Sequence, residues 1–198
     1  DDVAYPIAAS ISEPSQLEQL VTKTRDKFGK IDVLVCNAAT NPFMGSMLDM
    51  PSDKFDKVME NNIKSNQLLC NLVIPEMVER NDGSIIIISS IGGLKGSNLL
   101  GAYNISKAAD IMMVKNIAAE FGKNNIRANS IAPGLIKTDF AKALWENPEI
   151  LKAVLGNTPM QRIGEPDEIA GAAVMLSSKA GEYINGQTIV IDGGTTIV

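Results

Sequence analysis

Tyr103 and Lys107 stand four residues apart in Tyr103-Asn104-Ile105-Ser106-Lys107. On a helix that spacing puts both side chains on one face, about 6 Å apart along the axis. An ammonium beside a phenol stabilises the phenolate and lowers the tyrosine pKa from about 10. Tyr103 then becomes a general acid or base usable nearer neutrality. The spacing alone is a weak signal, since an exposed helical pair with no chemistry would look the same. Ser90, thirteen residues earlier, closes an apolar run and can donate to a ligand oxygen. Together the three side chains fit one constellation: Ser90 orients a carbonyl oxygen, Tyr103 transfers the proton and Lys107 tunes it.

Composition narrows the alternatives. The 198 residues include no histidine and two cysteines, Cys36 and Cys70. Ser-His triads, imidazole metal sites and zinc-cysteine clusters are therefore excluded, and no metal is expected. Free thiols suit a reducing cytoplasm, the expected compartment. With 45% hydrophobic residues the chain can build a sizeable core as a single domain over 1–198. A net charge of −5 argues against a nucleic-acid partner, which would need clustered Lys and Arg. No apolar run reaches the 18 or so residues of a membrane span, so no membrane partner is expected.

The elements that must position these residues alternate in type. Val3 to Ile11 reads as a strand, and a helix continues to about Phe28, with Ser12 as N-cap and Gly29 as its stop. Ile31 to Cys36 is a short apolar strand. Pro51 to Arg80 carries helical periodicity. Ser84 to Ser89 contains four consecutive isoleucines, the pattern of a strand covered on both faces. Ala102 to Gly122 is helical, Ile126 to Ile131 a strand, Asp167 to Ser177 a helix and Thr188 to Ile191 a last strand. Such alternation implies a parallel α/β sheet with helices on both faces. Ligands in these folds sit beyond the carboxyl ends of the strands.

The residues just past each strand are therefore the informative ones. Asn37-Ala38-Ala39 comes after one strand and allows close approach of a ligand or another backbone. Ser89-Ser90-Ile91-Gly92-Gly93 comes after the isoleucine strand. Pro133-Gly134-Leu135-Ile136-Lys137-Thr138 forms a turn whose amides and hydroxyl could hold an amide or phosphate. Asn62 lies inside a helical pattern, where asparagine is unfavourable, and suggests a kink or a hydrogen-bonding role. Each has a bland alternative as a tight turn, a helix cap or a surface polar residue.

In order and joint placement these elements resemble the short-chain dehydrogenase/reductase family over essentially the whole chain. Asn37-Ala38-Ala39, Asn62, Ser90, Tyr103-x-x-x-Lys107, Pro133-Gly134 with Thr138, and the closing Ile189-Val190-Ile191-Asp192-Gly193-Gly194 carry the match. Asn37 to Gly45 and Ala132 to Trp145 look most like the carbonyl reductase and dehydrogenase branch that includes the DHRS4-like enzymes. The resemblance implies an oxidoreductase that interconverts a ketone and a secondary alcohol with NAD or NADP. Tyr103 would be the general acid/base, Ser90 would orient the oxygen, and Lys107 would tune Tyr103 and hold the nicotinamide ribose. Asn62 would anchor a water passing protons to Lys107. Asn37 and Ala38 would line the adenosine side. After Pro133 and Gly134, the Ile136 backbone and Thr138 would fix the carboxamide. Residues 135–162 would form a mobile lid, and the helices over 51–80 and 102–122 a homodimer or homotetramer interface.

The chain also departs from the family pattern. Cys36 stands where a second Asn is usual, Ala39 where Gly is usual, and Ser10 where an adenine-contacting Asp usually ends the third strand. The family's opening glycine-rich nucleotide turn has no counterpart, the first glycine being Gly29. Two βα units occupy on the order of 60 residues. The resulting expectation is an incomplete doubly wound Rossmann-type sheet lacking those two units, with impaired dinucleotide affinity. A truncated, non-catalytic remnant that dimerises is the alternative function. A nucleotide-sugar epimerase or dehydratase is disfavoured because too little chain lies beyond Ile191 for a substrate domain.

Overall fold

Residues 3–198 are described by the computed structural model; Asp1 and Asp2, which belong to the expected domain span, lie outside the described residues. Four parallel strands form one sheet: β1 (Val33–Cys36), β2 (Gly83–Ile88), β3 (Ile126–Pro133) and β4 (Thr188–Ile191), in that spatial order. Helix α1 (Pro14–Phe28) precedes β1. Helices α2 (Ser52–Met59) and α3 (Ser65–Arg80) connect β1 to β2, and α4 (Gly101–Phe121) connects β2 to β3. Short α5 (Lys142–Trp145) and α6 (Pro148–Gly156) precede α7 (Pro166–Ser177), which leads to β4. This is the doubly wound parallel architecture that the alternation of elements implied.

The isoleucine run explains the two layers. Successive side chains of a strand point to opposite faces. Ile85 and Ile87 join a core with Leu17 of α1, Val73 and Met77 of α3 and Val114 of α4. Ile86 joins Ile131 and Leu176 beneath α7 on the other face. All three isoleucines are fully buried. Each contributes about 1.5–3 kcal/mol by leaving water, so the run holds helices to both faces at once.

Three expectations are corrected. Val3 to Ile11 is not a strand: among the described residues the segment pairs with no strand of the sheet, and the outer edge of β1 stays open. It ends instead in a local turn, in which the Ser10 N–H donates to Gln16 Oε1 (2.8 Å) and the Glu13 N–H to the Ser10 carbonyl (3.1 Å). Ser12 does not cap α1; Glu13 occupies that position, and the Ser12 hydroxyl donates to Asn61 Oδ1 at 3.0 Å. Finally, 51–80 is not one regular helix. A π turn over Glu60–Lys64 separates α2 from α3, and it is here that Asn62 sits.

Candidate active site

The register places the expected residues along one edge of the sheet. Cys36 lies opposite Ile87, Ile88 opposite Ile131, and Pro133 opposite Ile191. The next residues along the chain, Asn37 and Ala38, Ser89 and Ser90, Gly134, and Asp192, therefore emerge together at the carboxyl ends. Gly134 is needed there: a Cβ on it would stand 2.8 Å from Asp192 Cα, and its N–H donates to the Ile191 carbonyl at 2.9 Å. Asn37 and Ala38 are exposed just beyond β1.

Helix α4 begins over this edge and brings Tyr103 and Lys107 to it. Ser90 opens the tight turn Ile91–Gly93, and its Oγ accepts from the Gly92 N–H at 3.0 Å. A Cβ on Gly93 would stand 2.7 Å from the Lys107 backbone carbonyl, so the turn after β2 packs directly on α4. Ser89 Oγ locks the same contact by donating to the Lys107 carbonyl at 2.7 Å. Ser90 thus comes near enough to the Tyr103 side chain to influence its pKa. The Tyr103 ring lies 6.0 Å from that of Phe140, in the loop after β3.

The expected acidification of Tyr103 is reversed. Its pKa is pushed up to about 12, chiefly by burial; the Ser90 hydrogen bond opposes this and the Asp110 carboxylate adds to it. Lys107 Nζ lies 5.7 Å from the Tyr103 ring centroid but is engaged elsewhere. It donates to the Ile88 carbonyl (2.8 Å) and to Asp110 Oδ2 (3.0 Å). An ammonium paired with a carboxylate offers little net field to a phenol beside it.

Asn62 is fully buried and ties three elements together. Its Oδ1 accepts from the Thr40 N–H (2.8 Å), and its Nδ2 donates to the Thr40 carbonyl and to Ser106 Oγ (both 3.0 Å). The π turn is what lets an amide in mid-helix reach sideways, and neighbouring Asn61 accepts from Ser65 Oγ through its carbonyl. Three polar residues around the site escaped the sequence reading: Asn66, Ser106 and Asp110, all buried. A signal was present for Asp110, an acid three residues after Lys107 on a helix with few other charges.

The residues present fit a nicotinamide cofactor. Thr40 Oγ1, two residues past Ala38, is buried with no hydrogen-bond partner. Lys107 spends two of its three protons on protein groups. Thr138 Oγ1 makes only long contacts, 3.5 Å to the Ile136 carbonyl and 3.4 Å to the Ala141 N–H. Such groups are available to a polar ligand at the strand ends. Residues 135–162 fold over the loop after β3, where Trp145 Nε1 donates to the Thr138 carbonyl at 2.9 Å. A cavity of about 80 Å³ lies under this segment, lined by Ile136, Val154, Met160 and Asp192 among others; Ser90 and Tyr103 are not in its wall. No helix among the described residues is long and apolar enough to cross a membrane.

A family model described as enoyl-(acyl carrier protein) reductase matches residues 1–196. The chain is 40% identical over 185 residues to dehydrogenase/reductase SDR family member 4 of Bos taurus, and likewise to its Homo sapiens counterpart. In both cases the match covers 93% of this chain and 66% of the relative, so the chain spans about two thirds of those proteins' length. Among solved structures, a 7α-hydroxysteroid dehydrogenase complexed with NADH and 7-oxo glycochenodeoxycholic acid is 37% identical with a TM-score of 0.91, covering 96% of this chain and 74% of that one. A gluconate 5-dehydrogenase from Burkholderia cenocepacia in complex with NADP and tartrate has the same TM-score and coverage at 29% identity. With its parallel sheet, its strand-end residues and these relatives, the chain belongs to the short-chain dehydrogenase/reductase family of oxidoreductases.

Proposed function

We propose that the protein interconverts a small-molecule ketone and a secondary alcohol using NAD or NADP, with Tyr103 as the proton-transferring residue. The observation that carries this reading is the convergence of Ser90, Tyr103 and Lys107 at the carboxyl edge of the sheet, where Ser90 acts to lower the Tyr103 pKa and Lys107 Nζ lies 5.7 Å from the Tyr103 ring centroid. When bound, the nicotinamide supplies or accepts the hydride. Ser90 orients the substrate oxygen by donating to it. Tyr103 gives its phenolic proton to that oxygen in reduction and takes it back as the phenolate in oxidation. A pKa of about 12 keeps the phenol protonated at neutral pH, so the acid role is the one available there. Lys107 offers its remaining proton to the cofactor ribose, Thr40 and Thr138 offer free hydroxyls, and Asn37, Ala38, Pro133, Gly134 and the Ile136 backbone shape the cofactor groove. Asn62 holds the loop after β1 against α4, and residues 135–162 form the substrate lid.

Self-association through α2, α3 and α4 belongs to the same reading. Ile105 and Met112 are 46% and 54% exposed on α4, an apolar surface that a second copy would cover. The free, buried thiols of Cys36 and Cys70 accord with a reducing cytoplasm.

The test is Tyr103→Phe. Consumption of reduced nicotinamide with a simple ketone series is expected to fall about 10²- to 10⁴-fold, the usual worth of a positioned acid. Cofactor binding, followed by nicotinamide fluorescence, should survive. Wild-type turnover by Tyr103→Phe would overturn the reading.

A further inference from the structure

The centre of α4 holds an ion pair that proton transfer by Tyr103 does not require. Asp110 is fully buried, Lys107 is 2% exposed, and Oδ2 of the one lies 3.0 Å from Nζ of the other. The second carboxylate oxygen, Oδ1, accepts from Asn66 Nδ2 at 3.0 Å, and the same amide donates to the Asn62 carbonyl at 2.8 Å. An interior carboxylate is costly unless paired and hydrogen-bonded. Here both oxygens are served, one by the ammonium and one by an amide anchored to the π turn.

We propose that Asp110 is a positioning residue that holds the Lys107 ammonium in a closed ion pair, leaving Tyr103 in its proton-donating form and confining alcohol oxidation to alkaline solution. The proposal rests on the function assigned above. The chemistry depends on which form each direction uses. Reduction forms an O–H bond on the substrate and breaks the one on Tyr103, so it needs the phenol, which solvent then reprotonates. Oxidation reverses this and needs the phenolate. A carboxylate near the phenol disfavours the phenolate, and the cation that would favour it is neutralised by that carboxylate.

Burial is the larger cause of the raised Tyr103 pKa, and few charged groups besides Lys107 face Asp110 to offset what its carboxylate adds. From its own helix the facing groups are Lys107 and Tyr103, and from β1 the Cys36 thiol, which interacts with Cys70 of α3. Asn66 of α3 is neutral. Strand β2 carries no charged residue, and Arg127 of β3 is bonded to the Leu176 and Gly181 carbonyls. The charged residues of α2 and the π turn are exposed, except half-buried Lys54, which pairs with Asp53.

The test monitors the Tyr103 phenol itself, by ¹³C NMR of ring-labelled tyrosine, with Tyr103→Phe to assign the signal. Asp110→Asn keeps the shape and removes the charge. It is expected to weaken proton binding at Tyr103 severalfold, with burial still holding the phenol above its ordinary value. With cofactor and alcohol supplied, the alkaline midpoint of oxidation should fall by the same amount, and Asp110→Glu should move it back. Asp110→Leu, which carries no desolvation penalty in this apolar setting, serves if the amide variant is unstable. An unchanged Tyr103 titration in a folded variant overturns the proposal and leaves the assigned activity standing. Failure of both neutral variants to fold makes Asp110 structural and overturns it too. Turnover that survives Tyr103→Phe instead overturns the assigned activity, while the titration still reports on Asp110.

Discussion

Asn62 and Ser106 are 44 residues apart in the chain, yet Asn62 Nδ2 donates to Ser106 Oγ at 3.0 Å inside the protein. Ser106 sits between Tyr103 and Lys107 and donates in turn to the Tyr103 carbonyl at 2.7 Å. The helix that carries the acid is thus anchored through the π turn to the loop leaving β1. The proposed cofactor groove and the proposed proton donor share one buried polar tie.

Removing that tie should loosen both. Asn62→Ala strands the Thr40 N–H and carbonyl without their buried partner. An unsatisfied buried group costs about 1–3 kcal/mol, so denaturant unfolding should register a loss of at least that size. Cofactor affinity should weaken with it, because Thr40 moves with the loop. An Asn62→Ala protein as stable as wild type contradicts this account.

Gly93 tests the packing of the turn after β2 on α4. A Cβ there meets the Lys107 carbonyl carbon and oxygen at 2.7 Å and the Ala108 nitrogen at 2.9 Å, all backbone atoms. Backbone of a buried helix cannot step aside, and overpacking costs about 1–3 kcal/mol or more. Gly93→Ala should therefore lower both the melting temperature and kcat, by displacing Ser90 from Tyr103. Gly96→Ala, with nothing within 4 Å of the added carbon, is the control and should leave stability little changed.

The raised Tyr103 pKa makes stability depend on alkaline pH. Below pH 10, folded and unfolded chains both hold the phenolic proton, and the contribution is fully present. Between 10 and about 12 only the folded chain holds it, so stability falls as pH rises through this window. Two units correspond to about 2–3 kcal/mol. Thermal melts across that range should show the loss in wild type, and the difference from Tyr103→Phe, which lacks the proton, should shrink with pH. A constant difference would contradict it.

Trp145 is the only tryptophan of the sequence, and its indole holds the Thr138 carbonyl at 2.9 Å. Cofactor binding at Thr138 should change its fluorescence saturably. Trp145→Phe removes one neutral hydrogen bond, worth about 1 kcal/mol, and should weaken cofactor or substrate binding roughly fivefold with kcat little affected. A silent tryptophan on titration with NADH and NADPH would place the ligand elsewhere.

The sheet is readable from local pattern because burial leaves one. Ile85 to Ile88 announces a strand covered twice, and the turn residues Asn37, Ser90 and Gly134 mark where strands end at a ligand-facing edge. The joint order of Ser90, Tyr103 and Lys107 points to proton transfer at a carbonyl oxygen, and hydride transfer follows only from the family resemblance. Val3 to Ile11 misleads, because apolar alternation states only that a segment could be a strand. A strand also needs a partner in register, and among the described residues the segment pairs with none even though the outer edge of β1 is open.

The electrostatics of the site lie beyond any such pattern. Spacing along α4 brings Lys107 near Tyr103, and that much comes from helical geometry. Which way the ammonium's charge acts is set by Asp110, Asn66 and the Ile88 carbonyl, brought from one helix, a second helix and a strand. A pKa responds to burial and to every charge within a few ångströms. Those distances exist only once the sheet has closed beneath the helices, so spacing singled out Tyr103 as the candidate proton donor and tertiary packing decided how tightly it holds its proton.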